Sequence, residues 1–113
     1  MKACAVARSN IALAKYWGKL PGELNLPAVP SISMTLDCLQ TETEVEFSES
    51  WAEDSFWLNG ERARGPALLG RVSELLDRVR QGSGKECHAR VSSHNNFVTA
   101  GGLASSASGF AAL

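Results

Sequence analysis

The chain has 113 residues, enough for one hydrophobic core and not for two. Its 44% hydrophobic and 20% charged residues are those of a globular domain, and its formal net charge is −1. With no basic run and no interleaved aromatics, the charge pattern excludes a nucleic-acid platform.

Arg8 and Lys15 break the apolar patches near the start, which are too short for a signal sequence or a membrane span. A cytoplasmic protein with no membrane partner is expected. Cys4, Cys38 and Cys87 are odd in number, far apart and without a Cys-x-x-Cys pair, which reads as reduced, mostly buried thiols. There is no internal repeat and no low-complexity tract.

Residues Ala3 to Ala7 are small and apolar, a short buried strand by composition, and Arg8-Ser9-Asn10 is expected to turn out of it. Next, Asn10 to Lys19 packs two lysines, Tyr16 and Trp17 around Gly18. Taken alone, core or rim aromatics with solvated lysine stems would explain it. Pro21, Pro27 and Pro30 make the following segment a set of extended turns, and Ser31 to Leu36 alternates into a strand. Thr41, Thr43, Val45 and Phe47 then share one face, opposite Glu42, Glu44, Glu46 and Ser48. That is a half-buried antiparallel strand with a solvated acidic row, a simpler reading than a metal site. After the polar loop from Glu49 to Asp54, Ser55 to Leu58 returns as a strand closed by the turn dipeptide Asn59-Gly60, and the two strands are expected to form a hairpin.

Gly65-Pro66 opens a helix in which Leu68, Leu69, Val72, Leu75, Leu76 and Val79 form one stripe, and Gly82-Ser83-Gly84 stops it. Arg71, Arg78 and Arg80 lie off the stripe and are expected to face solvent. Cys87, Ala89, Val91 and Ser93 alternate with His88, Arg90, Ser92 and His94, so a strand with a polar face runs up to the final segment. In that segment Asn95 and Asn96 lead through Gly101, Gly102, Leu103 and Ala104 into Ser105, Ser106, Ala107, Ser108 and the apolar Phe110-Ala111-Ala112-Leu113. This is a loop feeding a helix N-terminus, where unpaired N–H groups and the helix dipole suit an anion, and small residues let it approach. Close packing and capping would explain the small residues equally well. No Gly-Lys-Ser/Thr follows the glycines, so the loop is not a Walker loop, nor is it Gly-x-Gly-x-x-Gly.

Gly102-Leu103-Ala104-Ser105-Ser106-Ala107 resembles the phosphate loop of the GHMP kinase superfamily. The stretch Ile11-Ala12-Leu13-Ala14-Lys15-Tyr16-Trp17-Gly18-Lys19, continued by Leu24 to Pro27 and Pro30 to Leu36, resembles the N-terminal signature of the diphosphomevalonate decarboxylase family. The resemblance is strong at both ends and weak from Ser48 to Lys85. It implies an α+β fold, the GHMP-kinase N-terminal domain (ribosomal protein S5 domain 2-like), with a mixed or antiparallel sheet, helices on one face, and the domain incomplete in this chain.

Members of the family use ATP and magnesium to phosphorylate the tertiary hydroxyl of mevalonate diphosphate, after which phosphate and carbon dioxide leave to give isopentenyl diphosphate. Phosphoryl transfer asks mainly for positioning and charge neutralisation. The resemblance implies that Tyr16, Trp17, Gly18 and Lys19 lie along the substrate and that Lys15 stands nearer the reacting centre. It implies that Asn95, Asn96 and Gly101 to Ser108 serve ATP, with magnesium near Ser106 and no protein carboxylate as ligand.

Residues 1–113 are accordingly expected to be the ATP- and substrate-binding portion of a longer, cytoplasmic enzyme. The catalytic aspartate and second domain of such an enzyme would follow Leu113, and this portion alone would be inactive. A homodimer is compatible with the resemblance. The family's usual proline is replaced by Val98. Its substrate-contacting arginine near the middle helix is left open among Arg64, Arg71 and Arg78. Two other readings stand beside it: a mevalonate or phosphomevalonate kinase relative without decarboxylation, and a non-catalytic anion-binding domain.

Overall fold

The computed structural model describes residues 1–15, 18–22, 26–99 and 101–113. In chain order the elements are β1 (Lys2–Lys15), β2 (Ser31–Ser48), β3 (Ser55–Leu58), β4 (Glu61–Arg62), α1 (Pro66–Ser83), β5 (His88–Asn95) and α2 (Ser105–Ala112). The five strands form one sheet in the order β1-β2-β5-β3-β4. All pairings are antiparallel except β3 with β5, so the sheet is mixed. The expected hairpin from β2 to β3 does not form, because β5 lies between them. Asn59-Gly60 instead joins β3 to the two-residue β4.

The two N-terminal strands are longer than composition suggests. β1 continues through Arg8-Ser9-Asn10 without turning, because the pairing register shifts there instead. Between Arg8↔Gln40 and Asn10↔Thr35, β1 advances two residues while β2 passes five, so the irregularity absorbs three extra residues of β2. The segments read as separate strands at Ser31 to Leu36 and from Thr41 onward are thus one bulged strand. Ala3 and Ala5 are exposed rather than buried. They lie on the edge strand, which has a neighbouring strand on one side only.

Side-chain chemistry divides the helix-bearing face of the sheet. Across β2 and β5 the paired residues there are Phe47↔Ala89, Val45↔Val91, Thr43↔Ser93 and Thr41↔Asn95, running from apolar to polar. At the apolar end Ala89, Val91 and Phe56 pack with Val72 and Leu76 of α1 to make the core. At the polar end α2 lies over β1 and β2. Helix α1 begins at Pro66, whose missing N–H costs nothing in a first turn, and stops at Gly84, in the left-handed region at φ 66°. Of its expected stripe, Val72 and Leu76 are buried and Leu68, Leu69 and Leu75 half-buried, whereas Val79 is 46% exposed near the helix end.

Arg80 corrects a second expectation. It is not solvent-facing: its guanidinium meets Asp54 at 2.5 Å and Asp77 at 2.6 Å, and its Nε donates to Cys87 O at 2.8 Å. Asp54 also accepts the Ala89 N–H at 2.8 Å, so one carboxylate from a polar loop ties the end of α1 to the start of β5. Burial works against the arginine's charge, but the bonds to Asp54 and Asp77 outweigh it and raise its pKa.

On the opposite face, Lys2 pairs with Glu44 at 2.8 Å and the Cys4 thiol donates to Glu42 at 3.4 Å. Cys4 and Cys38 are exposed and Cys87 is half-buried, so the thiols are less buried than expected. Cys4 lies on the edge strand β1, which leaves it open to water. The hydrogen bond to Glu42, then burial and nearby carboxylate charge, raise the Cys4 pKa and hold it as the thiol.

Two outcomes follow from this packing. Leu76→Ala should destabilise the fold by about 2–4 kcal/mol, read as a lower midpoint in a urea titration with little change in slope. Glu42→Gln should speed alkylation of Cys4 at pH 8, since loss of the carboxylate lowers the thiol pKa towards its ordinary value. Peptide-level mass spectrometry after iodoacetamide pulses would measure that rate.

Candidate functional site

The polar end of the helix-bearing face is a chain of hydroxyls and amides running under the glycine loop. Thr41 donates to Asn95 Oδ1 at 2.6 Å and lies 2.7 Å from the Ser108 hydroxyl. One step along the sheet, the Thr43 and Ser93 hydroxyls are 2.8 Å apart. Thr41, Thr43, Ser93, Asn95 and Ser108 are all buried. No buried side-chain nitrogen or oxygen among the described residues lacks a partner, so this polar layer is satisfied.

The loop above it is held from both sides. From β1, the alternation that faces Ala7 inward also turns Ser9 inward to full burial, where its hydroxyl donates to Leu103 O. From the β3–β4 turn, Asn59 Nδ2 donates to Thr99 Oγ1 at 3.1 Å, and Asn95 Nδ2 donates to the same oxygen at 2.9 Å. Between these anchors Gly101 N–H reaches Val98 O at 3.4 Å. A Cβ on Gly101 would stand 3.3 Å from Val98 O, so that position favours glycine. Gly102 at φ 77° and Ala104 at φ 57° both take the left-handed conformation, bending the chain into α2.

Ala104 is the N-cap of α2, with no side-chain cap bond and no acidic residue in the first turn. A first turn built this way leaves backbone donors and a positive dipole end for an external anion. Ser105 is half-buried and Ser106 exposed, and both line a cavity of about 140 Å³ beside Thr99, Gly109 and Phe110.

The residues of the expected phosphate loop therefore do different things. Gly101, Gly102, Leu103, Ala104, Ser105, Ser106 and Ala107 make the loop and first turn, but Ser108 faces inward and is 1% exposed. Asn95 is buried in the polar layer. Asn96 repairs the β2 bulge: its Oδ1 accepts the Gln40 N–H at 2.9 Å and its Nδ2 donates to Cys38 O at 3.0 Å. Both asparagines thus have structural partners.

At the other cluster, Gly18 O accepts the Ala28 N–H at 3.0 Å, and Lys19 bridges to Pro27. Tyr16, Trp17 and the side chain of Lys15 lie outside the described residues. β1 carries the chain from Ser9, at the loop, to Lys15, a path on the order of 20 Å at the rise of a strand. Among the candidate arginines, Arg64, Arg71 and Arg78 are all exposed, and Arg78 lies 3.7 Å from Glu74.

Sequence reasoning did not single out Ser9, Thr41 or Thr99, or the side chain of Asn59, as parts of the site. Thr41 had a signal in its strand parity with Thr43. Asn59 was visible only as half of a turn dipeptide.

A mixed sheet with its helices on one face, delivering a strand through a glycine loop into a serine-bearing helix, defines an α+β domain of the GHMP kinase type. The model for the diphosphomevalonate decarboxylase-like N-terminal domain matches residues 7–113, and the chain belongs to that family. The diphosphomevalonate decarboxylase of Candida albicans is 43% identical over 122 residues, covering 98% of this chain and 34% of that protein. The solved mevalonate diphosphate decarboxylase from Enterococcus faecalis superposes with a TM-score of 0.87 at 47% identity, covering 98% of this chain and 34% of its own. A further solved structure, described as MDDEF in complex with MVAPP, AMPPCP and magnesium, has a TM-score of 0.86 at 47% identity, with 98% and 34% covered. The chain spans about a third of the length of these relatives.

The polar layer makes a direct prediction. Thr41→Val keeps the side-chain shape but leaves Asn95 Oδ1 and the Ser108 hydroxyl short of a partner, at a cost of about 1–3 kcal/mol. Thr41→Ser should recover most of it, as read by guanidinium unfolding of the two variants side by side.

Proposed function

We propose that this chain is the N-terminal, nucleotide- and substrate-binding portion of an ATP-dependent mevalonate diphosphate decarboxylase. The reaction phosphorylates the substrate's tertiary hydroxyl, then releases phosphate and carbon dioxide to give isopentenyl diphosphate, a step of isoprenoid and so of lipid metabolism. The observation that carries this reading is the uncapped, acid-free first turn of α2, presented by a glycine loop that is anchored on both sides. An anion is the chemistry such a turn lacks. The N-terminal signature and family membership supply the choice of anion.

In this reading the turn from Gly102 into α2 takes the phosphates of ATP on backbone N–H groups, those of Gly101 and Ala107 being bonded to Val98 O and Ala104 O, with the exposed Ser106 hydroxyl adding a donor or turning its oxygen to magnesium. No group of three or more potential metal-binding side chains occurs among the described residues. Magnesium would neutralise phosphate charge there. Gly18 and Lys19, with Tyr16 and Trp17, line the mevalonate diphosphate, and Lys15 neutralises charge near the reacting centre. The path of about 20 Å along β1 leaves room for a triphosphate and a second anion in line. Ser108, Asn95 and Asn96 act from beneath, as supports of the loop and sheet.

The catalytic aspartate and the second domain belong to the remainder of the enzyme. The same reading makes the whole enzyme a cytoplasmic homodimer. No helix among the described residues is long and apolar enough to cross a membrane.

The assignment separates two variants. In the full-length enzyme Ser106→Ala should weaken ATP binding about tenfold and barely change mevalonate diphosphate binding, the loss expected for one hydrogen bond to a charged group. Lys19→Ala should do the reverse. Isothermal titration with each ligand would read both, and equal losses in either variant would contradict the division of roles between the loop and Lys19.

A further inference from the structure

Asn59 occupies the first position of the β3–β4 turn at φ 51°, followed by Gly60 at φ 85°. Its backbone N–H donates to Ser93 O at 2.9 Å. Turn geometry of this kind is satisfied by glycine or aspartate as well as asparagine, so it does not account for the amide side chain. That side chain makes two bonds outside the turn. Its Oδ1 accepts the backbone N–H of Asn95 at 2.8 Å, and its Nδ2 donates to Thr99 Oγ1 at 3.1 Å. A backbone N–H can only donate, so the first bond fixes which end of the amide faces β5 and turns the NH2 group towards Thr99.

Thr99 stands two positions before the glycine pair and four beyond the end of β5. Gly101 and Gly102 have no side chains with which to hold the loop, and Leu103 is held through its carbonyl by Ser9. The amide bonds to Thr99 are the matching restraint at the other end. Both Asn59 and the bond to Thr99 are exposed, and exposed hydrogen bonds contribute little to global stability. Their effect is on where the loop lies.

We infer that Asn59 is a positioning residue for the glycine loop, acting through Thr99 to set where the loop lies for an incoming nucleotide. The inference rests on the phosphate-loop reading of Gly101 to Ala107. Asn59 itself touches no phosphate; it fixes the residue from which the loop departs.

Asn59→Gly keeps a residue suited to the left-handed region and removes only the side chain, and Thr99→Val keeps shape while removing the hydroxyl. In the full-length enzyme each variant should raise the Michaelis constant for magnesium ATP about tenfold, while kcat and the constant for mevalonate diphosphate stay within about twofold. Because the two side chains share the Asn59–Thr99 bond, the double variant should lose clearly less than the sum of the two single losses. Thr99→Ser should restore the wild-type constant.

Additive losses in the double variant would overturn the coupling, and unchanged nucleotide constants in both single variants would overturn the inference. A fall in kcat and in melting temperature, without a selective rise for ATP, would reduce Asn59 to a structural role and also overturn it. If the wild-type enzyme takes up no magnesium ATP in equilibrium dialysis, the phosphate-loop reading fails first. That outcome is read on the wild type alone and is separate from any result with the variants.

Discussion

The contact between the Thr41 and Ser108 hydroxyls, 2.7 Å apart and out of reach of water, joins the sheet to the helix that carries the candidate site. The residues of that helix that are buried, Ser108 and Ala112, are small, so it is not fixed by a large apolar stripe. What holds it is a polar seam in which each buried group has a partner, and leaving one without is what such a seam penalises. The seam therefore sets the helix position more sharply than apolar contact would. Hydrogen bonds are directional, and hydrophobic burial is not.

The division of the inner face explains how one small sheet serves two ends. Where β2 and β5 present Val45, Phe47, Ala89 and Val91, α1 supplies Val72 and Leu76 and the domain gains its stability. Where they present Thr41, Thr43, Ser93 and Asn95, the domain instead gains a defined geometry. Asp54 performs the equivalent task at the far end, gathering Arg80 and the Ala89 N–H so that α1 and β5 keep their relative placement. The apolar core thus stands between two polar fastenings, one of them under the loop.

Much of this organisation was legible in the residues. The alternation in β2 and β5, the apolar stripe of α1 and the small-residue segment leading to α2 each follow from local periodicity, and each appears where that periodicity puts it. What stayed hidden depends on pairing between distant segments. The order of strands could not be read, because β5 enters between β2 and β3 from far along the chain and local turn signals say nothing of it. The bulge at Ser9 looks like a turn in sequence because Arg8-Ser9-Asn10 has turn composition, and only the partner strand makes it a bulge. Arg80 looked solvent-facing as a charged residue among exposed arginines, but it follows Val72 and Leu76 by whole turns, on the side of α1 where Asp54, on a separate loop, can meet it. In the site, motif resemblance marked the residues at the loop surface. It could not mark Ser9, Thr41 and Asn59, whose contribution is made from other strands and turns.

The anchors of the loop share one further property: Ser9, Thr41 and Asn59 all precede it in the chain, and β5 ends immediately before it begins. Synthesis proceeds from the N-terminus, so the strands, the turn and the bulge have all left the ribosome when the glycines emerge. The loop thus emerges after Ser9, Thr41 and Asn59 are already outside. Among the parts described, Ser108 alone of the seam is synthesised after the glycines, so the helix is fastened to Thr41 last.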